Sequence, residues 1–310
     1  MPKSRELIRL ETSVDSMGTT FSVVLYGSHR GQMEEAVAAA FDEVQRLHNL
    51  LSIYRPASVW SEINRLAAQK PVEVPPEVFK LITRCLCYSR QSQGAFDITV
   101  GPLMKTWGFF KGAGRLPSRD EVAAARAKVG YRHLCLDPAG RTVRFDIAGM
   151  EINPGGIGKG YAVDRMVEIL RKKGFEAALV MASSSSIYGM GSPPGEARGG
   201  RVDIRHPRRP RRHSATEVFL QDMSLSTSGG YAQTFCAGGR VFSHIMDPRT
   251  GYPAQGMLLV SVTAPRAIDS EAWTKPFFLQ GRSWAAQNKP RRLHAFFCGD
   301  GPEQTWGWLP

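Results

Sequence analysis

The residues best suited to chemistry lie in the segment Ser243-His244-Ile245-Met246-Asp247-Pro248-Arg249-Thr250-Gly251. A histidine and an aspartate stand three residues apart, and a Pro-Arg-Thr-Gly turn ends the run. A neutral imidazole can take a proton from a hydroxyl, and a carboxylate can orient that ring or steady the turn. A strand stopped this abruptly presents its last polar side chains at the mouth of a fold. A second segment, Ile152-Asn-Pro-Gly-Gly-Ile-Gly-Lys-Gly160, runs from glycines into a helix. Its free N–H groups, the helix dipole and Lys159 would favour an anion. It is not a P-loop: Asn153 stands where the first glycine is needed, and Gly160 where a hydroxyl should follow the lysine. Tyr161 breaks the dinucleotide fingerprint in the same way.

These residues need elements to hold them. Thr20–Tyr26 is β-branched and aromatic and reads as a strand. Gln32–Leu51 reads as an amphipathic helix with Val37, Phe41, Val44, Leu47 and Leu51 on one stripe. Pro76–Ser92 is a second helix, and Ser118 with Glu121 opens a third as a capping box. Leu134–Leu136 and Thr142–Asp146 form a hairpin, and Lys159–Lys173 another helix. Ala177–Ala182 is a buried strand leading into the serines 183–186. The second half is mostly strands, namely Arg201–Ile204, Val218–Leu220, Val241–Met246 and Leu258–Val262, with a short helix at Ser270–Gly281. Helices and strands mix without regular alternation, which predicts an α+β fold.

The bulk numbers agree with such a fold. The chain has 310 residues, 42% hydrophobic and 22% charged, enough for a sizeable core and unlike a disordered chain. No apolar run approaches the ~20 residues that span a bilayer. The N-terminus carries no apolar signal core, so the chain reads as cytoplasmic as written, or periplasmic if a leader was removed. The five cysteines are scattered and read as free thiols, mostly in the core, without a metal framework. The net charge is +12, and Arg198–His213 alone holds seven arginines against one aspartate. Two prolines break that run and no aromatic residue interleaves, so a solvated loop is favoured and no nucleic acid is expected.

Taken in order, the blocks resemble the FAD:protein FMN transferase family (ApbE-like flavin transferases). The resemblance rests on Met17-Gly-Thr19, Leu51-Ser-Ile-Tyr54-Arg-Pro-Ala-Ser58 with Ile63-Asn64, and Gly94-Ala-Phe-Asp97 with Gly101-Pro102 and Trp107. It continues through Gly155–Gly160 with Tyr161-Ala-Val-Asp164, Ser226-Thr-Ser-Gly229 and His244–Gly251. It implies one flavin-transferase-like unit over 1–310, divisible into subdomains of about 1–150 and 151–310 with FAD between them. It implies that FAD is the substrate, that Mg²⁺ assists, and that an acceptor flavoprotein receives FMN on a Thr or Ser hydroxyl while AMP leaves. Met17 and Tyr54 would contact the flavin. Ala95, Phe96 and Asp97 would cradle the adenosine or ribityl part by backbone and carboxylate. Asn153 and Lys159 would face ribose and phosphates, and Ile245 would use its main chain. His244 would be the general base, with Asp247 orienting it or steadying the turn.

The sequence departs from the family at the metal. Where the family has a block like A-D-A-W-D-T, this chain has Ser270-Glu271-Ala272-Trp273-Thr274-Lys275. Glu271 and Thr274 would supply oxygens and Gly156 a carbonyl, but Lys275 brings a positive charge where the family has a hydroxyl. The expectation is that the Lys275 ammonium stands near the metal position and replaces part of the cation. An FAD-binding protein or flavin store that has lost metal-dependent transfer is therefore the alternative function.

Overall fold

Thr19–Gly27 buries Phe21, Val23 and Leu25 at alternate positions, the pattern of a strand inside a sheet. In a computed structural model of the chain this strand pairs with Ile8–Ser16 on one side and Ala177–Ala182 on the other. The structure describes residues 7–110, 112, 114–208, 214–230, 233–299 and 307–310. One eight-stranded sheet runs Ile8–Ser16, Thr19–Gly27, Ala177–Ala182, Ser186–Met190, Met223–Gly229, Met257–Ala264, His294–Gly299, Gly307–Leu309. Every pairing in it is antiparallel. The first two strands share this sheet with those of the second half, so it crosses the division expected near residue 150.

The two faces of the sheet are covered differently. One face buries Val180, Val260, Val262 and Phe297 with three helices, Arg30–Leu51, Gly158–Lys172 and Ala267–Asn288. In the first of these, Met33, Val37, Ala40, Val44 and Leu47 fall at helical spacing and are buried. The other face, with Ile187, Leu225, Leu259 and Phe296, packs on Ile204 and Leu220 of the hairpin Gly200–Arg205/Ser214–Leu220. This is the α+β fold expected. A small sheet of Val72–Glu73, Thr142–Phe145 and Leu134–Asp137 and the Pro76–Gln91 helix complete the body. The capping box at Ser118 and Glu121 is present.

Some expectations need correction. The strand expected at Val241–Met246 ends at Ser243, and Met246 makes an isolated bridge to Pro253. The helix expected at Ser270–Gly281 extends over Ala267–Asn288, broken where Gly281 adopts φ 78°. Cys85 and Cys298 are buried, but Cys87 and Cys236 are exposed, so the thiols are not mostly core. The arginine-rich stretch is partly the hairpin named above, with Arg201 paired to Asp203 and Glu217; residues 209–213 lie outside the described residues.

The helices Gly158–Lys172 and Ala267–Asn288 come into backbone contact at Gly160. A Cβ there would sit 2.3 Å from the Ala267 carbonyl oxygen, which is backbone and cannot swing aside. Gly160→Ala should cost about 1–3 kcal/mol of stability, read from the midpoint of a urea titration; an unchanged midpoint would contradict this packing.

Candidate functional site

The helices Gly158–Lys172 and Ala267–Asn288 meet at their N-termini, where orphan N–H groups and both dipoles create positive potential. Each helix lends a carboxylate to the other. Asp164 accepts the Ala267 N–H at 2.7 Å and the Ile268 N–H at 3.1 Å. Glu271 accepts the Gly160 N–H at 2.5 Å. Asp164 is 6% exposed, and burial pushes its carboxyl up to about 6 against the pull of those two amides. Glu271 is 2% exposed; its Oε1 accepts no hydrogen bond among the described residues, and Lys159 Nζ stands 3.3 Å from it.

Lys275 completes this cluster. Its ammonium donates to the Glu271 carbonyl at 2.9 Å and to the Gly156 carbonyl at 3.3 Å, bridging its own helix to the glycine-rich segment. Burial pulls it down to about 8, with Glu271 opposing and Lys159 adding to the fall. Around the cluster, Phe96 packs under Gly156 and the Met17 methyl lies against Gly158. Met17 gets there on a two-residue hairpin turn in which Met17 (φ 52°) and Gly18 (φ 72°) are both left-handed. His48 holds that turn, accepting the Met17 N–H at 3.3 Å.

His244 faces the same charges. Burial lowers its imidazole to about 4; the Gln233 carbonyl opposes this, and Lys275 and Lys159 both push it further down. Its Nδ1 lies 3.4 Å from the Gln233 carbonyl oxygen, which can only accept. Nδ1 therefore carries the proton and Nε2 keeps its lone pair, the tautomer that can act as a base. Asp247 does not touch His244. Its two oxygens take the Arg249 N–H and guanidinium at 2.8–2.9 Å, and Arg249 continues to Gln280 at 2.7 Å. Of the two roles expected for Asp247, this geometry matches steadying the turn.

Several expected ligand contacts are used up inside the protein. Asp97 accepts from Thr99 N–H, Thr99 Oγ1 and Tyr131 N–H at 2.7–2.8 Å, so its carboxylate ties a turn. The Ala95 and Phe96 N–H groups both go to Ser92. The Ile245 carbonyl accepts from Ala254 and its N–H turns to Ser243 Oγ. Asn153 Oδ1 accepts the Gly155 N–H at 2.8 Å, while its Nδ2 donates to no described residue. Tyr54 is 51% exposed and stacks on Phe110 with ring centres 4.9 Å apart. Beside that pair opens a cleft of about 240 Å³ lined by Ser61, Asn64, Arg65, Lys105, Glu151 and Asn153.

Residues 17–297 match the model of the ApbE family. The chain belongs to the ApbE family. An FAD:protein FMN transferase of Klebsiella pneumoniae is 30% identical to it over 278 residues, covering 88% of this chain and 79% of that protein. The crystal structure of the ApbE protein of Thermotoga maritima is similar with a TM-score of 0.88 at 27% identity, covering 97% of this chain and 96% of that one. The apo flavinyl transferase ApbE of Pseudomonas stutzeri is similar with a TM-score of 0.83 at 28% identity, covering 96% and 93%.

Within this ApbE-family site, the expected metal donors do not fit a divalent cation. The Gly156 carbonyl carries the Lys275 ammonium. The Thr274 hydroxyl donates to the Glu271 carbonyl at 2.7 Å and accepts from Ser228 at 2.8 Å, which occupies it. Only the Glu271 carboxylate remains, with an ammonium near it, whereas Mg²⁺ wants several hard oxygens in an octahedron. Among the described residues there is no group of three His, Cys, Asp or Glu that could hold a metal.

Sequence reasoning missed the supporting residues. Trp60 Nε1 and Asn64 Nδ2 both donate to the Ile152 carbonyl at 3.0–3.1 Å, and Asn64 Oδ1 accepts the Ile152 N–H. Trp107 Nε1 donates to Gly251 O at 2.9 Å and holds the turn after His244. Asp164, Ser228, His48 and Phe110 were missed as well. The ordered blocks containing Asn64, Trp107 and Asp164 were a usable signal, since each block joins the Ile152–Gly160 or His244–Gly251 segment or the helix start at Ala267.

The histidine makes a pH-dependent prediction. Its folded value of about 4 lies below the 6.5 of a free imidazole, so the unfolded chain takes up the proton first on acidification. The contribution is intact above about 6.5 and is lost as pH falls toward 4. Imidazole NMR should find His244 neutral at about pH 5.5, and His244→Gln should flatten part of the acid loss of stability. A midpoint near 6.5 would contradict this environment.

Proposed function

We propose that this protein moves FMN from FAD to a Thr or Ser hydroxyl of an acceptor protein and releases AMP. The observation that carries this reading is the convergence of His244, in its basic tautomer, with Lys159, Lys275 and the N-terminus of the Gly158–Lys172 helix. A base and a concentration of positive charge are what hydroxyl attack on a pyrophosphate requires. His244 Nε2 takes the acceptor proton as the hydroxyl oxygen bonds to the flavin-side phosphorus. The bridging P–O bond breaks, its electron pair leaves on AMP, and the proton on His244 passes to AMP or solvent. Lys159, Lys275 and the N–H groups of the helix start offset the charge that builds on the phosphoryl oxygens.

Met17, Phe96 and the Tyr54–Phe110 pair supply apolar surface suited to a flavin or adenine ring. Asn153, whose Nδ2 donates to no described residue, supports a contact to ribose where it lines the cleft. Mg²⁺ is given no step in this mechanism.

The test is to incubate the protein with FAD and a hydroxyl-bearing acceptor, weigh the acceptor and assay AMP. An FMN adduct should appear with equimolar AMP, and His244→Gln should slow it by about 10²–10⁴-fold with FAD affinity unchanged. FAD binding with neither adduct nor AMP would favour the flavin store instead.

A further inference from the structure

We propose that Lys275 is a cation built into this chain for the pyrophosphate of its dinucleotide, so that FAD binds without a divalent metal. The inference rests on the flavin reading above and deepens it.

Three observations carry it. First, the ammonium is fixed at the place where the glycine-rich segment meets the second helix, on the carbonyls of Gly156 and Glu271. An ammonium has three donors. Two are used there, and the third has no partner among the described residues. Second, Lys159 and Lys275 both stand at Glu271, so two ammoniums and the positive end of a helix dipole meet one carboxylate there, while Asp164 is taken by the first amides of the other helix. Third, Glu271 Oε1 is buried, accepts no hydrogen bond among the described residues and has Lys159 Nζ 3.3 Å away, so the counter-charge of the lysines is internal to the protein.

The chemistry differs from that of a metal. An ammonium meets phosphate oxygens as a compact point charge with three rotatable donors and needs no ligand shell of its own. Because it sits on the Gly156 carbonyl, a divalent ion would have to displace it and meet its charge. Thr274 reinforces the choice, since Ser228 and the Glu271 carbonyl hold its hydroxyl away from any ligand role.

The test titrates FAD into the full chain with excess EDTA and again with Mg²⁺, following flavin fluorescence and heat. The wild-type dissociation constants should agree within about threefold, and Lys275→Met should weaken binding at least about tenfold in EDTA. A wild-type protein that binds FAD only with Mg²⁺ would overturn the inference and leave the flavin reading standing. No FAD binding in either buffer would sink both. A Lys275→Met protein that binds as tightly as wild type in EDTA would also overturn it. The wild-type comparison decides the matter by itself should the variant fail to fold.

Discussion

The reciprocal capping of two helix N-termini is the constraint on which the site depends. Asp164 satisfies the first amides of the Ala267–Asn288 helix, and Glu271 satisfies an amide at the start of the Gly158–Lys172 helix. Two N-termini pressed together repel through their dipoles unless negative charge sits between them. The carboxylates supply it, and Gly160 lets the backbones come close enough for both bonds to form. Lys159 and Lys275 then return positive charge to the same spot. The site is therefore dense in charge of both signs, two carboxylates against two ammoniums, and the two helix dipoles tip its potential toward an anion.

Around this junction, the segments that touch neither carboxylate act as braces. Trp60 and Asn64 clamp Ile152 ahead of the glycine turn. Trp107 and the Asp247–Arg249–Gln280 chain hold the turn that carries His244. Asp97 closes its own turn. Buried Asp97 and half-buried Asp247 both have their two carboxylate oxygens engaged within their own turns. His244 differs, because one ring nitrogen is anchored on the Gln233 carbonyl and the other bonds to no described residue.

Local physics made much of the fold legible. The stripe in Arg30–Leu51, the Ser118 capping box and the β-branched run at Thr19–Gly27 follow from short-range periodicity and capping. The strands Ser186–Met190 and Met223–Gly229 did not, because serine and glycine interrupt their apolar runs. Those serines are buried by bonding one another, Ser226 to Ser186 at 3.1 Å and to Ser270 at 2.7 Å. Such pairs join residues far apart in the chain, and no window of sequence contains both partners. The same holds for Asp164 with Ala267. Lys275 was legible as a misplaced charge, but the carbonyls that hold it emerged only from the fold.

The most direct measurement is a crystal structure of the protein with FAD, grown in EDTA. The account predicts pyrophosphate oxygens within about 3 Å of Lys275 Nζ, with His244 Nε2 facing the flavin-side phosphorus. A pyrophosphate lodged instead in the Arg65–Lys105 cleft, away from both lysines of the junction, would contradict it.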